Sequence, residues 1–398
     1  MNKTPSSNRI HIAIFGNRNA GKSSLINAII GQDVSLVSSV KGTTTDPVSK
    51  LIELIPLGPV VFIDTAGLDD EGELGNLRVE RSKKILQRTD FAIYLNDITN
   101  FDKEKKNEFV SEFKEFNIPY ISVFNKIDLI EKSKLNKIKN EFPNDYFIST
   151  NDSKNILNFK DILINHIKDG VKEPSIIGGL VKENGTVVMV VPVDSEAPKG
   201  RLILPQVQLI RDCLDNGIKS YVVRDTELES ALKDLKSIDL VVTDSQAFKR
   251  VSEIVPKNIN LTSFSILFAR YKGDINTFVS GISSVKRLRD GAKILISESC
   301  THNHSHEDIG RYKIPNLLTK HENKTFDFHF KMGHDFPLDL DSYDLIIHCG
   351  SCMLNSKTMK SRLMIAKKAG VPITNYGVIL AYLSGILDRT LEVDGIMN

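Results

Sequence analysis

One short glycine-rich segment near the N-terminus constrains the fold of this chain more than any other feature. Residues 11–15 are mostly apolar and predict a buried strand, which runs directly into a G-x-x-x-x-G-K-S pattern between Gly16 and Ser23. The glycines of such a segment let backbone N–H groups curl around phosphate oxygens at the start of a helix. The pattern therefore predicts a strand, a phosphate-binding loop and a helix in that order, as in α/β nucleotide-binding folds.

Further nucleotide-binding sequences follow, each next to a predicted strand. A D-x-x-G sequence, Asp64 to Gly67, comes after the strand 60–63, and the N-K-x-D sequence that ends at Asp128 comes after the strand 120–124. A run of threonines, 43–45, lies between a predicted helix and a predicted strand. The predicted nucleotide-binding residues are Gly16, Asn19, Gly21, Lys22, Ser23, Ser24, Thr43, Thr44, Asp64, Gly67, Asn125, Lys126, Asp128, Ser149 and Thr150.

These residue types suit GTP with Mg²⁺. Lys22 should reach the β- and γ-phosphates, while Ser23 should bind Mg²⁺ and Asp64 should hold it through water. The amide of Gly67 should contact the γ-phosphate, and the hydroxyl of Thr44 should sense both the γ-phosphate and Mg²⁺, with Thr43 as the second choice. We expect Lys22, Thr44, Asp64 and Gly67 to take part in hydrolysis.

The base preference is predicted by Asp128. Its carboxylate can accept two hydrogen bonds from the guanine N1–H and 2-amino groups, which adenine cannot supply. Because a buried polar group that loses its partners is costly, the site should select guanine strongly. Ser149 and Thr150, after the predicted strand 146–148, would complete the base pocket.

The ordered motifs resemble the translation-factor-related GTPases, particularly the branch that contains the tRNA-modification GTPase MnmE and the ribosome-assembly GTPase EngA. By that resemblance Asn19 is a candidate ligand for an activating K⁺ ion, although an asparagine in such a loop also commonly satisfies local backbone groups. Thr45 stands where that branch has arginine, and Leu68 stands where several GTPases have a water-orienting glutamine. We therefore expect slow intrinsic hydrolysis.

Length and charge limit the class of protein. A chain of 398 residues is too long for one core and predicts two or three domains. Its net charge of +2 argues against a broad nucleic-acid-binding face. Residues 1–9 are polar, unlike a signal peptide, and no apolar run approaches the ~20 residues of a membrane span. The chain has only four cysteines, and three of them are clustered in a metal-binding pattern rather than a disulfide framework, so we expect a cytoplasmic protein.

The part of the chain after residue 174 repeats itself. Segments 185–194, 201–210 and 239–245 resemble segments 291–300, 311–318 and 344–350 at an offset near 105 residues. Both copies predict alternating strands and helices with a parallel sheet, and we interpret them as an internal duplication. Shared α/β patterning without duplication is the alternative. The predicted domains are residues 1–172, 180–265 and 266–398, and the middle one is expected to mediate dimerisation.

Only the second copy carries clustered cysteines. Cys300 ends one predicted strand and Cys349 another, with Cys352 close behind, so all three should meet at the carboxyl edge of the sheet. In the first copy Asp194 and Asp244 take the places of Cys300 and Cys349. Cys213, on a predicted helix of that copy, is expected to be a small core residue. Three thiolates with an imidazole suit zinc, and three thiolates with an exchangeable ligand suit a [4Fe–4S] cluster.

The combination of these motifs is similar to the HydF family of [FeFe]-hydrogenase maturation GTPases. The resemblance rests on Cys-x-His at 300–302, His-Cys-x-x-Cys at 348–352, the threonine-rich switch 43–47 and the run 67–75, and it covers essentially the whole chain. It implies a GTP-binding domain, a dimerisation domain and a cluster-binding domain. It also implies a [4Fe–4S] cluster on Cys300, Cys349 and Cys352.

The same resemblance implies a scaffold or carrier for the diiron subcluster of the hydrogenase. Its implied partners are the radical-SAM maturases HydE and HydG and the apo-hydrogenase, with no membrane or nucleic acid. Glu307 and His302 rank first for the fourth cluster position, followed by His304, His306 and His348. The alternative is a GTPase with a structural zinc site that acts in tRNA modification or ribosome assembly.

Overall fold

A computed structural model describes most of the chain, in ranges that leave out several loops. The described residues are 8–31, 36–40, 48–65, 82–171, 175–192, 202–244, 247–299, 309–333, 335–351, 353–393 and 395–397. The chain divides into two compact units, Met1–Glu173 and Pro174–Asn398.

The first unit is built on a seven-stranded sheet in the order β2-β3-β4-β1-β5-β6-β7. The strands from β4 to β7 in this order are parallel, and β2 and β3 join them as antiparallel neighbours. The strands are β1 Ile10–Phe15, β2 Leu36–Val40, β3 Val48–Leu54, β4 Gly58–Asp64, β5 Phe91–Asp97, β6 Tyr120–Asn125 and β7 Tyr146–Phe147. The helices are α1 Lys22–Ile30, α2 Lys103–Glu115, α3 Lys132–Glu141 and α4 Ser153–Gly170.

The burial of the central strands explains their sequence. Strand β1 lies between β4 and β5, and all of β5 is buried, because helices cover both faces of a parallel sheet. Side chains cap two of the helices: Asp102 accepts a hydrogen bond from the amide of Lys105 in α2, and Asp152 accepts one from Lys154 in α4. The first unit therefore matches the α/β domain that the phosphate-loop pattern predicts.

The second unit contains two four-stranded sheets, and every strand pairing in them is parallel. One sheet has β8 Thr186–Val190, β9 Lys219–Val223, β10 Leu240–Thr243 and β11 Asn260–Ser263; the other has β12 Ala292–Glu298, β13 Phe326–Met332, β14 Leu345–His348 and β15 Ile373–Asn375. The helices are α5 Leu204–Asp215, α6 Leu228–Asp234, α7 Phe248–Ile254, α8 Phe264–Lys272, α9 Ile275–Val285, α10 Ile314–Glu322, α11 Ser356–Ala369, α12 Tyr376–Leu383 and α13 Leu387–Leu391.

The two sheets of the second unit have the same connectivity. In each, the first strand lies between the second and the third, and the fourth strand pairs with the outer side of the third. The predicted parallel-sheet α/β architecture is confirmed, and this shared connectivity supports the interpretation as a duplication.

The two sheets also share one hydrophobic core. A single cluster of buried residues includes Val187 and Leu240 of the first sheet, Ile294 and Ile346 of the second, and Leu267 of helix α8. Residue 266, where the third domain is predicted to begin, lies inside that helix. Near the C-terminus, Arg389 donates to the backbone carbonyls of 256, 257 and 259, which holds α13 against the β11 edge.

Gly281 in helix α9 should be needed for this packing. A Cβ atom at this position would lie 2.2 Å from the carbonyl oxygen of Ile373 in β15. Because backbone atoms must shift to relieve such a contact, we expect Gly281→Ala to lower the free energy of unfolding by about 2 kcal/mol in urea denaturation. Gly31→Ala is the control, since a Cβ atom there would meet its nearest neighbour at 3.4 Å. Equal stability of the two variants would contradict the prediction.

Candidate functional site

The phosphate loop connects β1 to α1, and its glycines are required by close approaches. Gly16 has φ +144°, and a Cβ atom there would lie 2.1 Å from the carbonyl oxygen of Leu95. Gly21 has φ +96°, and its Cβ atom would lie 2.5 Å from the Nδ2 atom of Asn125. The loop is thus pressed against the ends of β5 and β6, and Asn19 adopts a left-handed conformation with φ +63°.

The side chain of Lys22 lies inside the phosphate loop. Its side chain is buried, and its Nζ atom donates to the carbonyl oxygens of Gly16 at 2.6 Å and Asn17 at 3.0 Å. The ammonium group therefore lies within the curl of the loop at the N-terminus of α1, where the helix dipole also favours negative charge. This is the arrangement that phosphate binding needs.

Ser23 and Asp64 form a pair of hard oxygen ligands. The Ser23 hydroxyl donates to Oδ2 of Asp64 at 2.6 Å, although the two residues come from different elements. Hydroxyl and carboxylate oxygens are the ligands that Mg²⁺ prefers, so this pair fits the predicted metal. The other residues predicted near the γ-phosphate, Thr43, Thr44 and Gly67, lie outside the described residues.

Asn125 connects the phosphate loop to the base pocket. Its Nδ2 atom donates to the carbonyl oxygen of Ala20 at 3.0 Å, and its Oδ1 atom accepts from the amide of Thr150 at 3.2 Å. These two bonds use both ends of the buried side-chain amide. Asn125 therefore links the phosphate loop to the segment that carries Thr150.

The Asp128 carboxylate is oriented by its neighbours. It accepts hydrogen bonds from the Ser149 hydroxyl at 2.6 Å and from Nδ2 of Asn151 at 3.2 Å. The Ser149 bond is the main reason that the pKa of Asp128 is lowered, so the group is an anionic acceptor at neutral pH. A cavity of about 560 Å³ extends from this carboxylate to the phosphate loop, where Gly21, Lys22, Ser23 and Ser24 line it.

Asp97, which was not predicted, holds the side chain of the predicted residue Lys126. Lys126 has a left-handed backbone with φ +66°, and its Nζ atom donates to Oδ2 of Asp97 at 2.6 Å. Asp97 is held in turn by the amide and hydroxyl of Thr99. The signal in the sequence that could have identified Asp97 is its position at the end of β5, the strand that lies between β1 and β6.

Cys349, one of the three predicted thiolate residues, lies at the carboxyl edge of the second sheet of the second unit. Strands β12 and β14 are neighbours, with Ser297 opposite His348, so the residues that follow each strand come close together. The Sγ atom of Cys349 accepts a hydrogen bond from the amide of Ser299 at 3.0 Å and lies 2.8 Å from its hydroxyl. Cys300, Cys352, His302, His304, His306 and Glu307 lie outside the described residues.

His348 is fully buried behind this edge, and both of its ring nitrogens have partners. Its Nε2 atom accepts a hydrogen bond from Nη1 of Arg362 at 2.6 Å, and its Nδ1 atom donates to the carbonyl oxygen of Cys349 at 2.8 Å. Burial, together with the Arg362 charge, lowers the pKa of His348 to about 3, so the ring is neutral. Sequence reasoning missed Arg362, although its spacing from Met359 and Ala366 places it on the buried face of α11.

Cys213 is the other cysteine in the described part of the chain. Cys213 is buried in the core, and burial raises the pKa of its thiol to about 12. Within the described ranges, no group of three or more His, Cys, Asp or Glu side chains could hold a metal ion. No helix in those ranges combines the length and apolar character needed to span a bilayer.

The fold and the first site together define the chain as a P-loop GTPase with added parallel-sheet modules. Residues 11–126 match a family model described as a 50S ribosome-binding GTPase. Residues 176–273 match the hydrogen maturase F dimerization domain, and residues 276–393 match the hydrogen maturase F tetramerization domain. The chain belongs to the hydrogen maturase F (HydF) family.

Curated relatives match mainly the GTPase part. GTPase Der of Kosmotoga olearia is 36% identical over 35% of this chain and 33% of its own length. The tRNA modification GTPase MnmE of Mesoplasma florum is 30% identical over 44% of each chain. The chain thus spans about a third of the first of these relatives. Among solved structures, a variant of Aquifex aeolicus Era bound to GDP·AlF4⁻ has 18% identity and a TM-score of 0.31, over 54% of this chain and 92% of that one.

Asp128→Asn should reverse the base preference. An amide at this position keeps one acceptor oxygen but places an N–H donor opposite a guanine donor, so one hydrogen bond and the charge of the acceptor are lost. We expect GTP affinity to fall on the order of 100-fold, and xanthosine triphosphate to bind better than GTP. Titration with fluorescent nucleotides measures both affinities. Asp161→Asn, an exposed carboxylate on α4, is the control, and unchanged GTP affinity in Asp128→Asn would contradict the assignment.

Proposed function

We propose that the protein is a GTP-hydrolysing scaffold that carries a [4Fe–4S] cluster and assembles or delivers the diiron subcluster of the [FeFe]-hydrogenase active site. The observation that carries the proposal is the environment of Cys349. Its sulfur lies at the carboxyl edge of the sheet and accepts the amide of Ser299, the residue before Cys300. Membership of the hydrogen maturase F family supports the same function.

The donor set fits an iron–sulfur cluster. Cys300, Cys349 and Cys352 would supply three thiolates, and N–H groups directed at sulfur, such as that of Ser299, are the contacts that stabilise such ligands. When bound, the cluster supplies one iron with an exchangeable ligand. We propose Glu307 or His302 for that position rather than His348, because both ring nitrogens of His348 are engaged.

The GTPase part would act as the switch. Lys22 would bind the β- and γ-phosphates, while Ser23 and Asp64 would hold Mg²⁺, which stabilises the charge that develops in the transition state. Thr44 and Gly67 would contact the γ-phosphate. Without a glutamine at residue 68, hydrolysis should be slow.

The first sheet of the second unit offers a surface for assembly. Strand β9 is an edge strand that carries exposed Tyr221 and Val222, and helix α5 exposes Val207 and Leu214. Unpaired strand edges with apolar side chains tend to pair with another chain. We propose that this surface forms the homodimer. The expected partners are HydE, HydG and the apo-hydrogenase, in the cytoplasm.

Metal analysis tests the cluster. Anaerobically reconstituted protein should contain iron and sulfide, with absorption near ~400 nm and an electron-spin signal after reduction. Cys349→Ala, Cys300→Ala or Cys352→Ala should each abolish stable binding. Cys213→Ala is the matched control and should retain the cluster, because Cys213 lies in the core. Stoichiometric zinc without iron, with salt-sensitive RNA binding, would instead establish the tRNA or ribosome role.

Potassium dependence tests the role of Asn19. If its side chain helps to hold K⁺ beside the phosphates, GTP hydrolysis should be at least about tenfold faster in K⁺ than in Na⁺ at equal ionic strength. Asn19→Gly keeps the left-handed backbone but removes the amide, so it should lose the stimulation while still binding GTP. Equal wild-type rates in both salts would refute the K⁺ site.

A further inference from the structure

Arg362 is an arginine almost fully enclosed by protein, directly behind the Cys349 edge. Only 1% of its surface is exposed. Its guanidinium group donates to Ser297 Oγ at 3.2 Å, to His348 Nε2 at 2.6 Å and to the carbonyl oxygen of Gly333 at 2.5 Å. These three acceptors belong to β12, to β14 and to the turn after β13. One side chain therefore ties together three adjacent strands at the end where the cysteines follow.

The charge of Arg362 has no carboxylate partner in the described part of the chain. Its contacts there are neutral acceptors and the ring of Phe336, 5.0 Å from the guanidinium carbon, and its Nε atom is buried without a hydrogen-bond partner. An isolated buried cation is costly unless an anion offsets it. The acidic group that acts on it electrostatically is the thiol of Cys349, whose negative charge when ionised favours the charged guanidinium group.

His348 connects Arg362 to the turn that begins at Cys349. Because Arg362 occupies Nε2, the proton of the neutral ring is on Nδ1, which donates to the carbonyl oxygen of Cys349. Buried Ser351, with φ +55°, places its hydroxyl 3.3 Å from the same Nδ1 atom. The path from Arg362 through His348 to the Cys349–Ser351 backbone is thus continuous.

We propose that Arg362 is a positioning residue for the thiolate site: through His348 it fixes the turn that begins at Cys349, and its buried charge offsets the negative charge of the thiolate-bound cluster. The inference rests on the proposed cluster function. In this interpretation His348 supports the thiolate site, and the same role accounts for the arginine on the buried face of α11.

The test compares apo and reconstituted full-length protein. Arg362→Met keeps the length of the side chain but removes the charge and the three contacts, so reconstitution should raise its melting temperature much less than that of the wild type. Its iron should also pass to a chelator about 10-fold faster, as is typical when a residue that supports a metal ligand is lost. Arg362→Lys keeps the charge but replaces the guanidinium group with a single ammonium group. It should therefore release iron faster than the wild type, whereas the reduction potential of the cluster should stay unchanged.

Arg389→Met is the matched control, because Arg389 also donates to three acceptors, all of them backbone carbonyls, but does so beside the β11 edge of the first sheet. If a residue has only a structural role, its loss should lower the melting temperatures of the apo and loaded proteins by the same amount. We expect this result for Arg389→Met and not for Arg362→Met. The inference is overturned if Arg362→Met shows the wild-type gain and release rate. If Arg362→Met does not fold, a wild-type release rate in Arg362→Lys overturns it. A wild-type protein that holds no cluster refutes the proposed function instead.

Discussion

Parallel strand pairing is the constraint on which both sites depend. Neighbouring parallel strands end at the same edge, so the segments that follow them meet although they are distant in sequence. In the first unit this brings together the phosphate loop after β1, Asp64 at the end of β4 and Asn125 at the end of β6. In the second unit it brings Ser299 after β12 to Cys349 after β14. The nucleotide site and the proposed cysteine site thus depend on the same feature of the fold, the common edge at which parallel strands end.

The nucleotide site was largely predictable from the sequence because its motifs are contiguous. Each of them combines a strand end with a loop whose residue types have one physical use, as with Lys22, Ser23 and Asp128. Asp97 and Arg362 were not predicted, since their importance comes from tertiary neighbours: Lys126 in one case, and Ser297 and His348 in the other. The antiparallel pairing of β3 with β4, and of β2 with β3, was likewise not inferred from the pattern of apolar residues.

The comparison of the two sheets of the second unit shows how one framework supports different chemistry. At the end of β10, the Asp244 carboxylate accepts a hydrogen bond from Gln206, at the position that corresponds to Cys349 in the second sheet. The first sheet thus has at this position an acid whose carboxylate is held by a neutral amide. The same place in the second sheet presents a sulfur, and the residue before it is held by a buried arginine. The repeat therefore keeps the backbone connectivity while the residues at the strand ends differ.

The common core of these two sheets has a consequence for any assembly formed through β9. The edge strand and the Cys349 edge belong to one packed body, in which helices α8 and α9 contribute to a single apolar interior. That continuous interior joins the surface that would bind a second subunit to the surface that would hold the metal. In such a dimer the spacing and mutual orientation of the two cysteine sites are set by the subunit interface. The two cysteine edges of such a dimer would therefore stay at a constant separation.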